Sequence, residues 1–104
     1  MTDEVRCATM AAYVIVEIEV TDPSLYEEYR RQVLPVVTRY GGKFIVRGGK
    51  VEPLEGGWSP KRFVALEFPS LEQARKWYRS PEYAPLIELR QKASRGKLIL
   101  VEGS

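Results

Sequence analysis

Histidine is absent from the 104 residues, and cysteine occurs once, as Cys7. Without histidine there is no His/Cys zinc site, no His-ligated haem and no imidazole acid–base chemistry. Proton transfer would have to rest on Glu, Asp, Tyr, Lys, Arg or the ligand itself. A lone cysteine forbids a disulfide within the chain, which fits a cytoplasmic protein. Cys7 lies in a polar leader with no built environment to activate it, so it reads as an ordinary tail thiol. No apolar run approaches the ~18 residues of a membrane-spanning helix. Neither charge sign dominates: 16 Lys and Arg against 14 Asp and Glu leave +2, too little to indicate nucleic acid. Gly41-Gly42 and Gly48-Gly49 fit neither a P-loop nor a dinucleotide fingerprint. The expectation is a protein with no cofactor, no metal and no membrane partner.

What is present is a set of periodic segments. Residues 1–10 carry mixed charge and no periodicity, and are expected to be a disordered leader. Residues 11–104 then read as a single domain. Ala12, Val14, Val16, Ile18 and Val20 alternate with Tyr13, Ile15, Glu17 and Glu19, a strand with one face in a core. Asp22-Pro23 starts a helix, Gly41-Gly42 stops it, and Pro35 is expected to interrupt it. Lys43 to Val51 reads as a second strand, with a bulge or a close backbone approach at Gly48-Gly49. Arg62 to Phe68 is the central strand, its Val64, Leu66 and Phe68 on one face. Ser70 to Gln73 is a capping box for the next helix, Ser80-Pro81 is expected to start another, and Gly96 to end it. Lys97 to Glu102 closes the chain as a strand.

The order β-α-β-β-α-α-β is that of a split βαβ, ferredoxin-like α+β domain: a four-stranded antiparallel sheet with helices on one face. The first and third strands are then central neighbours. The helix-free face would carry Tyr13, Ile15, Glu17, Ile45, Arg47, Phe63, Ala65 and Glu67. Half of it is apolar, which calls for a partner. A second copy packed face to face would close a dimeric barrel, each buried side chain contributing roughly 1.5–3 kcal/mol. Arg47 is expected beside Glu67, with Glu17 one strand further on. In a partly dry seam such charges either pair structurally or serve a ligand: Arg47 holding an acid group, Glu67 or Glu17 exchanging protons, Tyr13 and Phe63 walling the cleft.

The stretches Tyr26-Glu27-Glu28-Tyr29, Tyr40-Gly41-Gly42-Lys43-Phe44, Arg47-Gly48-Gly49, Glu67-Phe68-Pro69-Ser70, Trp77-Tyr78 and Ser80-Pro81-Glu82-Tyr83 resemble a bacterial family known only as domain of unknown function 1330. The resemblance implies a ferredoxin-like chain that dimerises as an α+β barrel. It also implies polar positions at Arg47, Arg62, Glu67, Ser80, Tyr83 and Arg90, which adds Tyr83 to the ligand-binding set. Arg62 and Arg90 read as ties between loop or helix and sheet. Superfamily relatives include cofactor-free monooxygenases, lactone isomerases, a haem group that the lack of histidine disfavours, and ligand-sensing domains. The function expected is therefore a homodimer that binds a small organic ligand, such as an aromatic or unsaturated acid. It is either a cofactor-independent isomerase or monooxygenase, or a non-catalytic binding or structural module. RNA binding is the remaining alternative, because Lys61 to Phe68 echoes the third-strand signature of the RNA-recognition motif. Arg62 replaces its glycine, Ala65 replaces its second stacking aromatic, and Glu17 and Glu67 would repel phosphate.

Overall fold

The computed structural model describes residues 10–104. Most of the expected leader, with Cys7, lies outside the described residues. Strand β1 spans Ala12–Val20, and its even-numbered residues from Ala12 to Ile18 are buried. The Asp22 carboxylate accepts a hydrogen bond from the Leu25 N–H at 3.2 Å and caps helix α1, Pro23–Arg39. The expected interruption at Pro35 does not occur: α1 runs unbroken for 17 residues. Val33 and Val37 are buried on either side of the proline, so packing holds the turn that a lost backbone hydrogen bond weakens.

Gly41 adopts a φ of +83°, a conformation that disfavours side chains, and turns the chain into β2, Lys43–Arg47. Phe68 covers Gly42 so closely that a Cβ there would collide with the ring. The second strand is shorter than its sequence pattern implies. Its irregularity lies between Phe44 and Val46, upstream of the Gly-Gly pair. Gly48, at φ +71°, instead ends the strand, and its bare Cα is what allows the Arg62 guanidinium to lie against it. A loop then leads to β3, Arg62–Phe68.

The Ser70 hydroxyl accepts from the Gln73 N–H at 3.1 Å and caps α2, Leu71–Tyr78. Ser80 makes the same bond to the N–H three residues on, but what it caps is a turn. Its hydroxyl donates to the Trp77 carbonyl at 2.8 Å and accepts from the Tyr83 N–H at 3.1 Å, fixing a turn. Helix α3, Ala84–Ala93, starts only after that turn. It passes directly into β4, Ser94–Glu102, so Gly96 belongs to the strand and does not end the helix. There it lies against the Glu17 carbonyl, where a Cβ would not fit.

The sheet order is β2-β3-β1-β4, fully antiparallel, with β1 and β3 central. This is the ferredoxin-like α+β arrangement. Val14, Val16, Ile18, Val64, Leu66 and Phe68 form the helix-side floor of one core with Tyr29, Val37, Trp77 and Tyr83. Among the described residues, no helix is long and apolar enough to cross a membrane.

Candidate functional site

The register of β2 decides where the site lies. Lys43 stands opposite Glu67 and Phe44 opposite Leu66, but then Val46 stands opposite Ala65 and Arg47 opposite Val64. One extra residue on β2, Ile45, inverts the alternation of everything after it. Leu66 and Val64 both face the helices, so Phe44 and Arg47 do too. Arg47 is therefore not beside Glu67, as strict alternation implies. Its guanidinium lies 4.3 Å from the centre of the Phe44 ring, on the other side of the sheet. Lys43 occupies the place expected of Arg47, with its ammonium 3.4 Å from Glu67.

Arg47 thereby joins a slot between sheet and helices. Val16, Ile18, Val64 and Leu66 form its floor, α1 supplies Tyr26, Tyr29 and Arg30, and Trp77, Tyr83 and Arg90 close it. Arg62, at the start of β3, reaches in under Gly48 with its guanidinium 5.6 Å from the Tyr26 ring centre. The cavity measures about 40 Å³, room for a few water-sized groups or one carboxylate head. Four guanidiniums line it and no carboxylate does. Arg30 and Arg47 are exposed at its rim, Arg62 is half-buried, and Arg90 is 5 % exposed. Of the four, Arg30 has a salt-bridge partner, Glu27 at 3.0 Å.

The hydroxyls of Tyr29 and Tyr83 meet at 2.8 Å beneath this array. Burial pushes the Tyr29 phenol well above its ordinary value, and the neighbouring Tyr83 oxygen adds to this. Burial also raises Tyr83, although the Arg90 guanidinium pulls it back. For Arg90, burial favours loss of the proton, but the Tyr83 and Tyr29 oxygens outweigh it and the net shift is upward. Both phenols are thus neutral donors at physiological pH and Arg90 is a cation. A neutral phenol favoured by the fold contributes stability that is full below about pH 10, the unfolded value, and is lost as pH rises through the higher folded values. An alkaline absorbance titration should accordingly show fewer than the six tyrosines of the chain ionising near pH 10. The remainder should appear together with unfolding. Six tyrosines ionising together below the unfolding transition would contradict the buried pair.

The opposite face holds the other expected site residues. The Tyr13 hydroxyl donates to Glu67 at 3.4 Å, and the Trp58 indole N–H donates to Glu17 at 3.4 Å. Trp58 meets Phe63 edge-on at 6.1 Å between ring centres. The six expected site residues thus divide: Arg47 and Tyr83 border the slot, while Tyr13, Glu17, Phe63 and Glu67 occupy the helix-free face. Tyr29, Arg62 and Arg90 are the slot residues that sequence reasoning left in the core or in structural roles. The hint lay in the paired Tyr26 and Tyr29 on the buried stripe of α1, with Arg90 on that of α3: hydroxyls and a cation where apolar residues would have sufficed.

A family model described as a domain of unknown function, DUF1330, matches residues 11–104. Among solved structures, RPA0582, a protein of unknown function from Rhodopseudomonas palustris, superposes with a TM-score of 0.74 at 21% identity, covering 100% of this chain and 95% of that one. SnoaB, a cofactor-independent oxygenase from Streptomyces nogalater, gives 0.62 at 14% identity over 92% of this chain and 94% of its own. A hypothetical Arabidopsis thaliana protein, At3g17210, gives 0.63 at 12% identity over 92% and 88%. At such identities the likeness is one of fold. No curated protein matches the chain in sequence.

Proposed function

The chain belongs to the DUF1330 family, and from that premise we propose that it binds a small organic acid, as its anion, in the arginine-lined slot. The carrying observation is the charge of the lining: four guanidiniums, one of them almost wholly buried, and no carboxylate. A guanidinium does not shed its proton at any physiological pH. A buried one without an anion is expensive, and a ligand carboxylate supplies the missing charge with bidentate geometry. The apolar floor suits the short carbon chain of a small unsaturated acid, and in this reading Arg47 and Tyr83, both on the lining, contact the ligand.

Thermal denaturation with crotonate and crotonamide tests this. Crotonate at a hundredfold excess over its Kd should stabilise by about 2.7 kcal/mol, a rise in Tm of about 10 °C. Crotonamide should give almost none, and Arg62→Gln should remove the crotonate shift. Equal shifts from acid and amide would overturn the reading.

The finer reading is catalytic, a cofactor-independent isomerase or oxygenase. Two observations favour it: neutral phenols beside a fixed cation are placed to stabilise an oxyanion, and SnoaB, of similar fold, is a cofactor-independent oxygenase. Such a site would hold charge developing on a substrate oxygen, as in an enolate. Glu67 and Glu17 lie on the other face, so a proton-transfer role for either would have to be exercised there. The non-catalytic alternative predicts the same stabilisation with no product formed. Two copies packed through the helix-free face complete the proposal.

A further inference from the structure

The protons of the slot carry more than its charge. Among the described residues, three buried donors have no hydrogen-bond partner: Arg62 Nε, Arg90 Nε and Trp77 Nε1. All three belong to side chains that line the slot. Arg90 is 5 % exposed and Trp77 1 %, so solvent does not serve them. The Tyr29–Tyr83 pair adds a fourth donor. Two hydroxyls sharing one hydrogen bond of 2.8 Å use one proton between them, whichever donates, and leave one phenolic O–H over. Against these donors the lining offers no carboxylate, and its side-chain acceptors are phenolic oxygens. Arg90, which can only donate, lines the same slot as these oxygens.

Resting on the anion-binding reading above, we propose that the slot selects acids whose neighbouring group is also a pure acceptor: 2-oxo acids and their enolates, ahead of 2-hydroxy and 2-amino acids. A carboxylate and an adjacent carbonyl together present only lone pairs, which match unpartnered N–H and O–H groups. A 2-hydroxyl brings a proton that must compete with Arg90 and the tyrosine pair for a phenolic oxygen. A 2-ammonium group brings three protons and a positive charge into a ring of guanidiniums. Leaving a polar group unpaired in a closed site is a strong form of rejection. The cavity of about 40 Å³ suits the polar head of a three-carbon acid.

Calorimetric titration of the full chain with pyruvate, propionate, lactate, alanine and propionamide tests this. Pyruvate should bind roughly tenfold or more tightly than lactate and more tightly than propionate, and alanine should not bind. Tyr83→Phe, which keeps the ring, should narrow the gap between pyruvate and lactate. Lactate equal to pyruvate, or pyruvate weaker than propionate, overturns the selectivity while leaving anion binding intact. Propionamide binding as well as propionate, or no acid binding at all, overturns the anion-binding reading and the selectivity with it.

Discussion

Trp77→Ala is expected to lower the unfolding free energy by about 3–5 kcal/mol, the range for deleting a large aromatic from a core. That is a large share of the roughly 5–15 kcal/mol available to a domain of this kind. Trp77 is 1 % exposed and packs 4.3 Å from the Tyr83 ring centre and 5.2 Å from that of Phe68, both fully buried. It also divides the arginine slot from a groove of about 290 Å³ against β4, floored by Val14, Leu98 and Leu100. Removing the indole would join the two spaces. The sheet floor is fixed by its ladder and α2 by the Ser70 cap, so little can move in to fill the gap. Water would then reach the Tyr29–Tyr83 pair. Urea denaturation at pH 7 reads the loss directly, and the alkaline titration should show the buried tyrosines ionising nearer pH 10. A loss below about 1 kcal/mol would mean that the indole contributes little packing.

How much of this was legible beforehand depended on whether a period stayed intact. β1 alternates without a break for nine residues, so its buried face could be read directly, and with it the antiparallel pairing to β3. Asp22 and Ser70 cap their helices as their residue types imply, because capping is decided within four residues. β2 is where local pattern failed. Lys43 to Arg47 alternates acceptably in either register, and only the neighbouring strand reveals that Ile45 is extra. That single residue moved Arg47 from the helix-free face to the slot, and with it the candidate site. Ser80 caps as expected, but the helix begins later than the Ser-Pro pair implies, for a related reason. The same Ser-Pro signal opens a helix or a turn, and the turn is secured here by the Trp77 carbonyl, a partner upstream of the motif. Arg62 and Arg90 were visible as polar positions, but only the fold shows that both side chains line one cavity.

Ile15→Lys is expected to convert a dimer into a soluble monomer, weakening self-association by roughly a thousandfold. The helix-free face has a banded composition. Ile99, Ile15, Ala65 and Val46 form an apolar row straight across all four strands. Val101, Tyr13, Glu67 and Lys43 form the row on one side, and Lys97, Glu17 and Phe63 that on the other. Ile99 is 62 % exposed, Val101 45 % and Val46 38 % in the single chain, an arrangement that a second sheet packed about 10 Å away would cover. A two-fold contact places each substitution in the seam twice. At about 2 kcal/mol for each unpaired ammonium held away from water, the pair costs about 4 kcal/mol, which is the stated factor. The single chain should tolerate the change, because Ile15 lies in the middle of an open face where a lysine reaches solvent. Sedimentation of the wild type should give twice the chain mass of 11.9 kDa and that of Ile15→Lys the chain mass itself, with unchanged circular dichroism. A wild type that sediments as a single chain at micromolar concentration would remove the seam. The slot lies between the sheet and the helices, on the side away from that seam, so the anion-binding reading does not depend on this outcome.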